Sequence, residues 1–337
     1  MIRVAMIGYG GIAQASHVKY HLELQEKGES KLVAVCDVCP ERFEQKMEIN
    51  IGGSEVRLEE SVKKYTDWKE MLVKEKIDMV DICVPTYLHA DIAIEALERG
   101  FHVFCEKPMS LTYDRCLDMC EVARRTGKKL MMGQSFRFNA KSIFIKNAVV
   151  NNTFGRLKSG IFRRLSAPPV WGWDNWYMDM KRSGGAITDL HIHDIDFIQY
   201  TFGLPSKVFC RTQDIYSGKD IVHSILDYDD FSITVIGDWS REGMPFESGF
   251  MLAFEKATVV DTGAGIMIYP RGGEPYSPEI VTNVSHQAEI AYYIDLLNND
   301  KENDICPPES AAISVKLVNA LIESTDNGGK LVAVSAE

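Results

Sequence analysis

The feature that most constrains this chain is a change of hydrophobic period near residues 128–135. Before it, short apolar runs end at turns and give way to amphipathic stretches of helical length. Arg3–Ile7, Lys31–Cys36, Met79–Val84, His102–Cys105 and Leu130–Met132 read as strands. Residues 12–26, a segment after Pro40, a stretch capped by Thr66–Asp67 and running to Lys76, and residues 89–99 and 112–125 read as helices. Strands so rich in Val, Ile, Met and Cys predict a parallel sheet buried on both faces by the helices between them. Right-handed crossovers turn that into a Rossmann-type, doubly wound α/β fold.

Beyond residue 150 the pattern becomes longer and alternating, at 157–165, 207–212, 223–228, 231–238, 250–254 and 258–261, with hairpin-length links such as Asp229–Asp230. This predicts a C-terminal α+β domain with a large, open, mainly antiparallel sheet. One helix is expected at 186–202, two more at 283–297 and 309–324, and a last strand at 330–334. The expected division is a nucleotide-binding domain over 1–130 and a substrate-binding and oligomerisation domain over 131–337, in line with a chain of 337 residues.

Charge and cysteine usage narrow the partners. The formal charge is −11, from 48 acidic and 37 basic residues, which argues against a nucleic-acid groove or an anionic membrane surface as the partner. No apolar run approaches the roughly 18 residues of a membrane span, and the N-terminus has no leader-like pattern. Eight cysteines are scattered through the chain. The Cys36-x-x-Cys39 pair lacks the second pair that a zinc site needs, so the expectation is reduced thiols, no metal site and a cytoplasmic location.

Gly8-Tyr9-Gly10-Gly11-Ile12-Ala13 lies between the first strand and the first helix. Glycine at the first place allows the tight turn, and at the second it lets a pyrophosphate approach the backbone. A small third residue lets helix and strand pack closely. Gly8, Gly10 and Ala13 fill those places. Asp37 ends the second strand 24 positions beyond Ala13, near the roughly 20 expected for a carboxylate on a ribose 2′-hydroxyl. Such a carboxylate repels a 2′-phosphate, and no arginine follows it directly, although Arg42 is near. The expected cofactor is NAD rather than NADP.

Two further segments carry chemistry. Cys105-Glu106-Lys107-Pro108 follows a strand at the carboxyl edge of the expected sheet, where such sheets bind ligands, and a lysine there can stabilise charge on a substrate oxygen. Gly184-Gly185 precedes Asp189 and His193, which one helix would place on one face. A histidine beside a carboxylate suits proton transfer near neutral pH.

With Val84-Pro85-Thr86 and His89, these segments resemble the glucose–fructose oxidoreductase / inositol dehydrogenase (Gfo/Idh/MocA) family over residues 8 to 193 and in the family's order. Thr86 stands where Asn is frequent in the family. The resemblance implies that Lys107, Asp189 and His193 form the catalytic set. It implies cofactor contacts from Gly8, Gly10, Gly11, Ile12, Ala13, Asp37, Pro85, Thr86, His89, Glu106, Lys107 and Gln134. It also places Phe136 and Arg137 near cofactor and substrate. The implied reaction is hydride transfer between NAD and a secondary alcohol of a sugar, cyclitol or related polyol. The implied assembly is a homodimer or homotetramer joined through the open sheet. Trp171, Trp173, Trp176 and Tyr177 either stack on a sugar ring or fill a core.

Three rivals remain at the level of sequence. Tightly held NAD could serve glycoside cleavage or isomerisation. The scaffold could be a non-enzymatic sensor of NAD or sugar, against which stands the presence of all three proton-handling residues. His191, His193, Asp194 and Asp196 look metal-like, but residues i and i+2 of a helix point apart.

Overall fold

In the computed structural model, which describes residues 1–45, 47–49, 52–53 and 58–335, the chain forms two compact units. The first comprises Met1–Ser135, Trp171–Asp174 and Val284–Ala312, and the second Phe136–Val170, Asn175–Asn283 and Ile313–Glu337. The first unit thus includes a late segment, 284–312, that the contiguous division at 130/131 assigns to the second.

The first unit opens with β1 (Ile2–Ile7), a π turn at Ala13–His17 and helix α1 (Val18–Glu26). Strand β2 (Ser30–Cys36), an antiparallel pair of two-residue strands, β3 (Glu48–Ile49) and β4 (Gly52–Gly53), and β5 (Lys63–Tyr65) follow. Then come α2 (Trp68–Lys74), β6 (Met79–Ile82), α3 (His89–Glu98), β7 (His102–Glu106), α4 (Tyr113–Thr126) and β8 (Leu130–Gly133). The six-stranded sheet has the order β5-β2-β1-β6-β7-β8, and every pairing in it is parallel. Val4, Ala5, Met6, Val80, Ile82 and Val103 are fully buried, as a sheet covered on both faces requires. The order turns about β1 and β6, and ligands of such sheets bind at that switch point, beyond the strands' carboxyl ends.

One local expectation is revised here, and one strand was not read from the sequence. The segment after Pro40 is only a 3₁₀ turn, Pro40–Phe43, which buries no residue and so has no packed face to extend it into a helix. The lysine-rich β5 carries no apolar signature, and as an edge strand it needs none, since edge lysines discourage further pairing.

The second unit contains α5 (Ala140–Val150), β9 (Leu157–Leu165), α6 (Met180–Ser183), α7 (Gly185–Asp189) and α8 (Ile192–Phe202). Strands β10 (Lys207–Gln213), β11 (Ile221–Asp227), β12 (Ser232–Asp238), β13 (Glu247–Phe254), β14 (Ala257–Asp261) and β15 (Ile266–Pro270) follow. Helix α9 (Ser285–Asn299) belongs to the first unit. Helix α10 (Pro308–Asp326) begins in the first and ends in the second, where β16 (Val332–Ala333) closes the sheet. The eight strands are ordered β15-β14-β13-β9-β12-β11-β10-β16. All pair antiparallel except β9 with β12, which is parallel. Helices α7 and α8 pack on β11, β12 and β9. On alternate positions Ile161, Ile225, Met251 and Tyr269 are exposed, and Ile161 faces Met251 across the β9–β13 pair.

The single helix expected over 186–202 is two helices. Leu190 and His191 both donate their amides to Ala186 O, at 3.0 and 2.9 Å, so the regular ladder slips between them. The eight cysteines form no disulfide, and burial pushes the thiols of Cys36, Cys120 and Cys210 up to about 12. No helix among the described residues is long and apolar enough to cross a membrane.

Candidate active site

The glycine turn is built by close approach. Gly8 has φ +94°, and a Cβ placed on it would lie 2.4 Å from Cys83 O, so both the left-handed backbone and the space demand glycine. Its amide donates to Cys36 O at 2.8 Å. A Cβ on Gly10 would meet only the Arg42 guanidinium, at 3.0 Å. Beyond Gly11 and Ile12, Ala13 is fully buried where the π turn starts. Asp37 is drawn onto the turn: Tyr9 N donates to its Oδ2 at 2.9 Å and Cys39 N to its Oδ1 at 2.8 Å. Gln14, which sequence reasoning passed over, ties the same pieces together. Its Nε2 donates to Tyr9 O and Arg42 O at 3.1 and 3.2 Å.

Arg42 also qualifies the reading of Asp37. Its Nη1 lies 3.7 Å from Asp37 Oδ2, so the carboxylate has a cation beside it although none follows it directly in sequence. The signal was present in the sequence, but judging it required knowing that Pro40–Phe43 forms a tight turn rather than a helix leading away.

Two of the expected cofactor contacts carry buried polar atoms that find no hydrogen-bond partner among the described residues, Thr86 Oγ1 and Gln134 Nε2. Both side chains are nearly fully buried, and leaving such groups unmet costs about 1–3 kcal/mol each. With the cradle of Gly8 and Gly10 and the anchored Asp37, they fit a bound dinucleotide. Pro85 holds an extended backbone ahead of the short turn Thr86–Leu88. His89 plays a different part. Its Nδ1 is 2.7 Å from Pro108 O and its Nε2 2.8 Å from Val84 O, so the ring ties the Val84–Thr86 loop to the Lys107–Pro108 turn.

Glu106, just before Lys107, is a buried anchor. His17 Nε2 lies 3.0 Å from its Oε1, and Lys107 N donates to its Oε2 at 3.0 Å. The other His17 nitrogen lies 2.9 Å from Asp81 Oδ2, which also meets His21 Nε2 at 2.8 Å. Burial is the largest influence and works against a charge on His17, but Asp81 and Cys83 together outweigh it and raise the ring's pKa well above the ordinary histidine range. The π turn at Ala13–His17 presents His17 to this cluster, and π bulges are frequent at functional sites.

Lys107 belongs to the first unit, and Asp189 and His193 to the second. Gly184 and Gly185, with φ +74° and +68°, set the entry to α7. Asp189 ends that helix and His193 lies in the first turn of α8, so the two sit across the slip in the ladder. Both are half-buried. Phe136 packs on His193 with ring centroids 5.4 Å apart. The Arg164 guanidinium covers Phe136 at 4.5 Å and forks onto Asp194 with bonds of 3.0 and 2.9 Å. Arg137, expected near cofactor and substrate, is fully buried and forks onto Asp196 at 2.9 and 2.7 Å, and Ser314 Oγ donates to the same carboxylate at 2.7 Å. Arg137 thus fixes the 135–138 turn to α8.

These pairings leave little of the metal-like reading at 191–196. Asp194 and Asp196 are held by arginines, and His191 Nε2 meets Ser224 Oγ at 2.8 Å. Trp176 and Tyr177 stack on each other at 3.9 Å, and Tyr177 meets Trp239 edge-on.

Comparison with known proteins agrees with this architecture. Residues 2–134 match an oxidoreductase family with an NAD-binding Rossmann fold, and residues 144–272 match the GFO/IDH/MocA C-terminal domain. The chain belongs to the Gfo/Idh/MocA oxidoreductase family, and its first unit carries that family's NAD-binding domain. It is 31% identical over 207 residues to D-glucoside 3-dehydrogenase of Escherichia coli (strain K12), covering 61% of this chain and 55% of that protein. It is 30% identical over 234 residues to inositol 2-dehydrogenase of Rhizobium meliloti (strain 1021), covering 69% and 64%. The chain thus spans between about half and two thirds of the length of these relatives. Its fold is like that of the WlbA dehydrogenase from Bordetella pertussis, solved with NADH and UDP-GlcNAcA, with a TM-score of 0.80, 20% identity and coverage of 100% and 99%.

Proposed function

We propose that this protein is an NAD-dependent dehydrogenase acting on a secondary alcohol of a sugar, cyclitol or related polyol. The observation that carries the reading is the pair of buried, unmet polar atoms at Thr86 and Gln134 in the same unit as the glycine turn closed on Asp37. The names of the two sugar and cyclitol dehydrogenases above support the substrate class.

In this reading Gly8, Gly10, Gly11, Ile12 and Ala13 hold the pyrophosphate, and Asp37 holds the adenosine ribose. Thr86 and Gln134 supply polar contacts, while His89 and Glu106 shape the loops around them. NAD, when bound, accepts or returns the hydride. His193 takes the substrate's hydroxyl proton, Lys107 stabilises charge developing on that oxygen, and Asp189 orients the substrate or the imidazole. His193 gains its orientation from Phe136, which is itself fixed by Arg164. We further place the protein in the cytoplasm as a homodimer or homotetramer, with the open sheet face covered by a second copy.

The test is NADH formation against a panel of cyclitols, aldoses, sugar acids and amino sugars. At least one should be oxidised with net NADH. Cofactor that survives gel filtration without net NADH would redirect the reading to internal redox catalysis. On the substrate found, His193→Ala should lower kcat by about 10²–10⁴-fold, and unchanged turnover would remove His193 from the base role.

A further inference from the structure

His286 and Glu289 stand three apart on α9, which puts them on one side of the helix. Glu106 ends β7. One ligand atom from each of the three lies within 4.8 Å of the other two. Glu106 and Glu289 are buried and His286 is half-buried.

Glu106 is already fixed, by His17 on one oxygen and by Lys107 N on the other. Glu289 is not. It is fully buried, and neither carboxylate oxygen has a hydrogen-bond partner among the described residues. A buried carboxylate in that state is costly. A proton on it would remove the charge but leave its O–H without an acceptor and its second oxygen without a donor. A cation between the three side chains would take an electron pair from each.

We propose that Glu106, His286 and Glu289 form a binding site for one divalent transition-metal ion. An imidazole with two carboxylates suits Zn²⁺ or Mn²⁺ better than Mg²⁺ or Ca²⁺, which prefer all-oxygen sets. Ligands at about 2.0–2.2 Å from Zn²⁺ lie no more than about 4.4 Å from one another, so any two of these atoms that stand farther apart draw together on binding. His17, backed by Asp81, orients Glu106 as outer partners orient ligating carboxylates. Three protein ligands leave a coordination position open. The ion would also brace the turn that carries Lys107, because Glu106 accepts that residue's amide. The site draws only on the first unit and does not depend on which alcohol the protein oxidises.

The test uses Zn²⁺ on the full-length chain. Protein stripped with a chelator is loaded by dialysis, returned to metal-free buffer and assayed by mass spectrometry for bound zinc. Glu289→Gln and His286→Ala are treated alongside. Wild type should retain one ion per chain, and each variant should bind at least tenfold more weakly. Replacing Zn²⁺ with Co²⁺ should give visible bands of nitrogen and oxygen ligation that both variants lose. If Glu289→Gln fails to fold by circular dichroism, the half-buried His286→Ala carries the comparison. Wild type that retains no zinc would mean that a proton or water satisfies Glu289, and would overturn the proposal. Equal binding by wild type and variants would assign the metal to the thiols and would overturn it as well.

Discussion

In the proposed reading, Asp37 and Arg42 set the cofactor's charge preference between them. Asp37 is anchored by Tyr9 N and Cys39 N, so it cannot swing away from an incoming 2′-phosphate. The Arg42 guanidinium, 3.7 Å from it, offsets part of that repulsion. The ratio of the NADPH to the NADH dissociation constant should therefore exceed one in wild type and rise about tenfold in Arg42→Ala, equivalent to about 1.4 kcal/mol. Asp37→Ala should lower the same ratio. Titration of both cofactors against the three proteins checks this, and a ratio that falls in Arg42→Ala would show that Arg42 does not serve the 2′-phosphate. At this scale the sequence was a good guide where a residue acts through the backbone. Gly8, Ala13 and Asp37 could be picked out because a tight turn and a strand end leave a local pattern. It was a poor guide where a residue acts through a distant partner. Nothing near Arg137 announces Asp196, and nothing near Glu106 announces Glu289.

Among the elements, the slip between α7 and α8 shows why periodicity alone reads too smoothly. The run 186–202 has the composition of one buried helix, but His191 leaves the regular ladder at the point where its ring is held on Ser224 beneath β11. Burial, reinforced by Arg164 and His223, lowers the His191 pKa to about 3. The folded protein therefore holds it neutral, whereas the unfolded chain takes up a proton below about 6.5. The stability it contributes is complete above that value and is lost as pH falls through the folded pKa, at up to about 1.4 kcal/mol per pH unit. Urea unfolding between pH 7 and pH 5 should show this dependence in wild type and a slope in His191→Asn that is smaller, by nearly one proton at the acid end. An unchanged slope would mean that the ring is charged in the fold. The parallel strands were legible because burial on both faces leaves continuous apolar runs. The parallel β9–β12 pairing was not, since alternation has the same period whichever way a neighbour runs.

For the whole molecule, the outward side of the eight-stranded sheet decides the expected assembly. Ile161, Ile225, Met251 and Tyr269 stand exposed on it, and a contiguous apolar patch on a sheet is a common mark of an interface. Small-angle scattering at micromolar concentration should give the mass of two or four chains, and Ile161→Glu with Met251→Glu should return it towards one. A wild-type monomer would oppose the assignment. The late segment 284–312 has a different consequence. It completes the first unit: Tyr293 Oη donates to Lys129 O at 2.6 Å and its ring packs on Phe104, while Gln287 Nε2 donates to Glu23 at 2.6 Å. A ribosome making about 5–20 residues per second therefore holds the nucleotide-binding half without its closing helix for roughly 7–30 s while the 148 residues between Ser135 and Val284 emerge. The half made first is finished late, and a fragment cut at residue 135 should be a client for chaperones rather than an independent domain.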